Sequence, residues 1–162
     1  MSETLQLPQT TDRVAVYSAL YPQVRELLND EHDLIAAMAN VSAALRQAFS
    51  WHWIGFYRVM GAELVLGPFQ GPVACSRIGH GKGVCGTAWA DEKTLIVADV
   101  DKFPGHIACS PLSKSEIVVP IRDRSGRIAA VLDIDSEHMD DFNEVDAHAL
   151  GRICTLLEPL FE

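Results

Sequence analysis

Between residues 31 and 49 apolar side chains return every three or four positions, at Leu34, Met38, Val41, Leu45 and Phe49. That spacing predicts a helix with one face turned inward. The stretch before it, residues 11–29, reads as a helix or two helical pieces, with Pro22 at an N-terminal position or a kink. From Trp51 the texture shifts to short β-rich runs separated by turn residues. Residues 51–59 and 63–66 predict a hairpin around Met60-Gly61-Ala62, and residues 73–78 a third strand leading into Gly79-His80-Gly81-Lys82-Gly83. Residues 94–97 predict a short fourth strand. Residues 117–121 and 127–134 predict two more, joined across Asp123-Arg124-Ser125-Gly126, whose composition suits a tight turn. The chain closes with a helix over residues 144–157, where Val145, Leu150, Ile153 and Leu157 form an apolar stripe that continues to Leu160.

Strands grouped together with helices at both ends indicate an α+β domain, an antiparallel sheet with the N- and C-terminal helices packed on one face. No repeat, low-complexity tract or linker divides the chain, so residues 1–162 read as one domain. The long irregular stretch over residues 98–116 is unusual for a compact domain, and loops of that kind are commonly functional. With 48% apolar residues the chain can build a core without help from disulfides or metals. A net charge of -9 argues against nucleic acid and anionic membrane surfaces as partners, because both demand a basic patch. No apolar run approaches the roughly 20 residues needed to span a bilayer. The N-terminus, Met1-Ser2-Glu3-Thr4-Leu5-Gln6, lacks the basic and apolar regions of a secretory leader, so the expected location is cytoplasmic.

In a reducing compartment cysteines are more often core residues, metal ligands or redox catalysts than structural disulfides. Cys154 lies on the apolar side of the last helix, where a cysteine behaves as a small hydrophobe. The other three have different surroundings. Cys75 falls in the third strand, Cys85 follows the glycine-rich loop, and Cys109 sits in the long irregular stretch. Loop thiols near His106, Lys114, Arg77 and Lys82 are candidates for lowered pKa values and nucleophilic character, and two such loops brought together would supply an attacking and a resolving cysteine; inert loop thiols are the alternative. Zinc is a weaker reading of His80, His106 and the thiols, since no C-x-x-C pair exists and the spacings match no common zinc module. Residues 81–86 satisfy G-x-G-x-x-G, but too few residues follow for the helix of a dinucleotide site, and Gly83 after Lys82 rules out a P-loop.

Asp133 and Asp135 alternate along a strand and so point to one side of it, and Glu116 stands at the start of the strand before. Three acids so placed make either a pocket for an ammonium group or a strand end fraying into solvent. Trp51, Trp53 and Tyr57 alternate in the same way, as pocket walls or as core.

Five segments together resemble the signature blocks of the free methionine-(R)-sulfoxide reductases, which are single GAF domains. They are Gly71-Pro72-Val73-Ala74-Cys75, Gly81-Lys82-Gly83-Val84-Cys85-Gly86-Thr87-Ala88, Phe103-Pro104-Gly105-His106-Ile107-Ala108-Cys109, Ser115-Glu116-Ile117-Val118-Val119-Pro120 and Val131-Leu132-Asp133-Ile134-Asp135-Ser136. The spacings of ten residues from Cys75 to Cys85 and 24 from Cys85 to Cys109 fit the same family. The resemblance implies a GAF-like fold and reduction of free methionine (R)-sulfoxide. It implies Cys109 as nucleophile, Cys85 as the thiol that condenses with the resulting sulfenic acid, and Cys75 as an auxiliary thiol able to pair with Cys85, with the relative weight of Cys75 and Cys85 in resolving left open. Glu116, Asp133 and Asp135 would hold the substrate, one of them near the sulfoxide oxygen, with Trp53 and Tyr57 enclosing the methyl group and side chain. Thioredoxin is the implied reductant, and no metal or organic cofactor is required. The family commonly forms homodimers, for which the first helix is a candidate contact. A GAF-type sensor that binds a small ligand or registers oxidation is the non-enzymatic alternative.

Overall fold

A computed structural model describes residues 4–162. Met1–Glu3, the start of the stretch whose composition argued against a leader, lie outside the described residues. Two helices come first: α1 (Arg13–Leu27), capped by the Asp12 carboxylate accepting from the Val14 N–H, and α2 (Leu34–Phe49), capped by Asp33. Pro22 is accommodated inside a continuous α1. The strands follow as β1 (Trp53–Met60), β2 (Glu63–Gln70) and β3 (Arg77–Gly79). Helix α3 (Gly83–Asp91), β4 (Leu95–Val97), β5 (Ser115–Arg122), β6 (Ile128–Ser136) and α4 (Glu144–Thr155) complete the order.

All six strands join one antiparallel sheet in the order β3-β2-β1-β6-β5-β4. Because side chains alternate across a strand, the long strands β1, β5 and β6 divide their residues between two cores. Ile54 and Phe56 of β1, Ile117, Val119 and Ile121 of β5, and Ala130, Leu132 and Ile134 of β6 face α1, α2 and α4. Trp53 and Tyr57 of β1, Val118 of β5 and Val131 of β6 face the other way, against Val84, Cys85 and Ala88 of α3. The terminal helices thus cover one face, as expected. They are tied to each other by Asp146 of α4, which is fully buried, accepts from Tyr17 at 2.7 Å and pairs with Arg13 at 2.8 Å. A buried carboxylate is tolerable only with such partners.

The structure departs from the expectations in two places that matter for function. Residues 73–78 do not form a full strand. Pro72 has no N–H for a ladder, and the segment is instead held from its side by Trp53 Nε1 donating to the Pro72 carbonyl at 3.1 Å and Tyr57 Oη donating to the Cys75 carbonyl at 2.9 Å. Cys75 is therefore a loop residue. The second departure is α3, which begins inside the glycine motif and places Cys85 in its first turn. Gly86 makes that possible: a Cβ there would lie 2.4 Å from the Gly79 carbonyl oxygen. Trp51, the third aromatic of the alternating set, belongs to the helix-side core, stacked on Phe49 with centroids 4.3 Å apart.

Candidate active site

The α3 face of the sheet is apolar near its centre and acidic at one end. The register makes that end a cluster: Asp135 pairs with Trp53 on one side and Glu116 on the other, and Asp133 pairs with Gly55 and Val118. Glu116, Asp133 and Asp135 thus occupy adjacent positions on one face, with Trp53 and Tyr57 beside them. The two rings lie 5.9 Å apart and nearly parallel, and Trp53 stacks on Phe69 at 5.3 Å. Gly55 sits between them on the same face. A Cβ there would come within 2.6 Å of the Trp53 ring and 2.4 Å of the Phe69 Cβ, so only glycine lets the aromatic wall close.

These residues line a cleft of about 550 Å³, open mouth included. The interior of the cleft is narrow. Cys85, Glu116 and Asp133 converge on one spot, their donor atoms all within 4.8 Å of one another. The Cys85 thiol points at Glu116 Oε1 across 3.9 Å. His106 and Cys109 line the cleft from residues 98–114, and His106 Nε2 stands 3.8 Å from Glu116 Oε2. Cys109 is bonded to Cys75, with Cα atoms 5.8 Å apart.

Burial dominates the electrostatics. It pushes Glu116 well above the usual carboxylate range, and the negative charges of Asp133 and Asp135 push it further. Asp135 is held well above its ordinary value by burial and then by Asp133. Asp133 is raised by burial, opposed by hydrogen bonds with Glu116 and Cys85. Burial and like charge therefore favour retention of protons within the cluster, and an acid that retains its proton can donate it. Burial followed by the same acids also raises the Cys85 thiol well above normal. That reverses the expectation of a lowered pKa for this cysteine. His106 is lowered by burial, with Asp101 opposing, so its ring favours the neutral form. Asp133 Oδ1 is buried and has no hydrogen-bond partner among the described residues. A buried acceptor left open in a cleft points to a ligand group that satisfies it.

Seven of the eight expected site residues line this cleft: Cys85, Cys109, Trp53, Tyr57, Glu116, Asp133 and Asp135. Cys75 does not line it but is joined to it through Cys109. The pairing differs from the one implied by the resemblance. Cys109 closes on Cys75, and Cys85 remains a free buried thiol under the cleft, bound to α3 and facing Glu116. The zinc reading does not find its ligands together either: His80 packs edge-on against Trp89 at 4.5 Å, and two of the thiols are in the disulfide. Of the four nearby cationic groups named from sequence, His106 and Lys82 line the cleft, and Arg77 pairs with Glu63 at 3.3 Å instead. Ser113, which lines the cleft and hydrogen-bonds Asp135, carried no signal in the sequence; only the path of the loop places it there.

The GAF domain family model matches residues 29–162. GAF domain-containing protein A of Dictyostelium discoideum is 53% identical over 98% of this chain and 99% of its own length. The free methionine-R-sulfoxide reductase of Escherichia coli is 40% identical over 91% of this chain and 89% of its own. The chain is also similar to the crystal structure of free methionine-R-sulfoxide reductase from Neisseria meningitidis in complex with its substrate, with a TM-score of 0.95 and 49% identity, covering 99% of this chain and 96% of that one.

Proposed function

The chain belongs to the GAF domain family and, within it, to the free methionine-(R)-sulfoxide reductases, and on that premise we propose that it reduces the R epimer of free methionine sulfoxide to methionine. The observation that carries the reading is the closure of Cys109 onto Cys75 at the mouth of a cleft whose floor is a cluster of buried acids. Sulfoxide reduction needs both parts.

With the disulfide open, the Cys109 thiolate attacks the sulfoxide sulfur. The oxygen gains a proton from the acid cluster, and Glu116 is well suited to supply it because it is deeply buried and strongly raised. Methionine leaves and Cys109 becomes a sulfenic acid. The Cys75 thiol then displaces the hydroxyl, releasing water and forming the Cys75–Cys109 disulfide. Two electrons have passed from two thiols to the sulfoxide. A dithiol reductant of the thioredoxin kind restores the pair, consuming the disulfide in two exchange steps.

Trp53 and Tyr57 form a wall suited to the methyl and side chain of the substrate. The acids at 133 and 135 suit its ammonium group, which a methionine inside a peptide lacks, so the cleft selects for the free amino acid. Cys85 takes a different part from the one implied by the resemblance. Its thiol stays protonated in the cleft floor, where it packs and hydrogen-bonds beneath the substrate. We place the protein in the cytoplasm, where such thiols are kept reduced. No helix is long and apolar enough to cross a membrane among the described residues. A homodimer through α1 belongs to the same proposal, since Val14 and Val145 leave apolar surface exposed along the groove between α1 and α4.

The test is NADPH oxidation coupled through thioredoxin reductase and thioredoxin, with each epimer supplied separately. Turnover is expected with the free R epimer, and Cys109→Ser abolishes it. Absence of turnover with that epimer would remove the enzymatic reading and leave a ligand- or redox-sensing domain.

A further inference from the structure

Residues 98–114 carry the nucleophile between β4 and β5, and much of this stretch is exposed, Cys109 included. Its ends are fixed by backbone bonds, Val100 N–H to the Lys114 carbonyl at 3.0 Å and Lys114 N–H to the Ser136 carbonyl at 2.7 Å. Before Cys109, Ile107 rests against Gly83 and His106 faces Glu116. Among the described residues Cys109 itself has only a local bond, its N–H to the Ile107 carbonyl, besides the disulfide. When the disulfide opens, as it must before each attack, that covalent tether is lost.

The next residue supplies another. Ser110 Oγ lies 3.1 Å from His52 Nε2 and also accepts from the Leu112 N–H at 3.3 Å. His52 does not line the cleft. Its side chain is 8% exposed, and it stands immediately before β1 between Trp51, buried in the helix-side core, and Trp53, the cleft wall. His52 Nδ1 faces Glu137 Oε1 at 3.6 Å, just past the end of β6. A carboxylate accepts only, so it favours the tautomer with the proton on Nδ1, which leaves Nε2 to accept from the Ser110 hydroxyl. Every group in the chain Glu137, His52, Ser110, Leu112 then has a compatible role.

We infer that His52 is a positioning residue which, through Ser110, ties the turn bearing Cys109 to the rigid start of β1 and holds the thiol over the cleft while the disulfide is open. The inference rests on the reading of Cys109 as nucleophile. Catalytic geometry tolerates little error, since a displacement of about 1 Å costs on the order of a hundredfold in rate.

The experiment is single-turnover methionine release from pre-reduced protein, with no recycling reductant, for His52→Ala, His52→Gln, Ser110→Ala and the His52→Ala/Ser110→Ala double variant. His52→Ala and Ser110→Ala should each slow release by about tenfold, with KM for the sulfoxide changed by less than about twofold. The double variant should be no slower than the singles, because both remove one tether. His52→Gln, which keeps a polar group near the Nε2 position, should stay within about threefold of the unmodified protein. An unchanged rate in Ser110→Ala, a Gln variant as slow as the Ala variant, or fully multiplicative losses in the double variant would each overturn the inference. Should His52→Ala not fold, Ser110→Ala and His52→Gln carry the same test. If the unmodified protein does not reduce the sulfoxide at all, the functional reading fails separately. The tether is then read from peroxide treatment, in which Cys109 is oxidised to a sulfenic acid and condenses with Cys75. Ser110→Ala should slow that closure, and an unaffected rate would overturn the tether as well.

Discussion

At the scale of single residues, the acids at 116, 133 and 135 were legible because strand alternation alone puts 133 and 135 on one side. The register then adds Glu116 opposite Asp135. Cysteine pairing was not legible, because it depends on which loops meet: Cys75 and Cys109 both stand on loops at the mouth, whereas Cys85 is fixed in the first turn of α3. Burial also decides what these groups cost. A carboxyl whose folded pKa is raised keeps its proton better in the native state, so stability is fully present below its unfolded value near 4.5 and is lost as pH rises towards the folded value. Glu116→Gln removes that dependence while keeping the shape. Its melting temperature should exceed that of the unmodified protein by more at about pH 8 than at about pH 5, with a gain of about 1–3 kcal/mol at the higher pH. Differential scanning fluorimetry across pH checks this, and an equal or smaller difference at high pH would contradict the assignment. The same variant should lose most of its activity, since it no longer has the proton.

At the scale of elements, the helices at the two ends and the long strands were readable from periodicity. In α2, Met38, Val41 and Leu45 are fully buried as their spacing predicts. Helix α3 was hidden because Gly83 and Gly86 are poor helix formers, so its formation depends on packing against the sheet rather than on propensity. The short β3 was overestimated because the apolar run before it is held by side chains from β1 instead of by a ladder. These two departures are the elements that build the cleft. Gly86→Ala is the sharpest check on the α3 geometry, since its Cβ would meet backbone atoms of Gly79 and Gly81 that cannot move aside alone. It should destabilise the fold by about 1–3 kcal/mol in chemical denaturation. The reverse outcome, a gain of stability from better helix propensity, would mean that α3 does not pass so close to the β3 turn.

At the scale of the whole molecule, one sheet separates scaffold from chemistry. The face under α1, α2 and α4 is apolar, and it holds Cys154, whose thiol is buried and raised in pKa, away from the cleft. The opposite face carries the acids, the aromatic wall and, through the loops at its mouth, the redox pair. This division explains how the sheet can keep a cluster of buried acids: the helix-side core supplies stability that the acidic end does not. On the proposed function, Cys109 and Cys75 together reduce a free sulfoxide of one hand. The direct measurement is to mix pre-reduced protein with each epimer of free methionine sulfoxide, without any reductant, and to quantify methionine and map the disulfide by mass spectrometry. About one methionine per protein is expected from the R epimer, with Cys75 and Cys109 linked and Cys85 and Cys154 still free, and no reaction with the S epimer. Methionine formed equally from both epimers, or a product linking Cys85 to Cys109, would contradict that function.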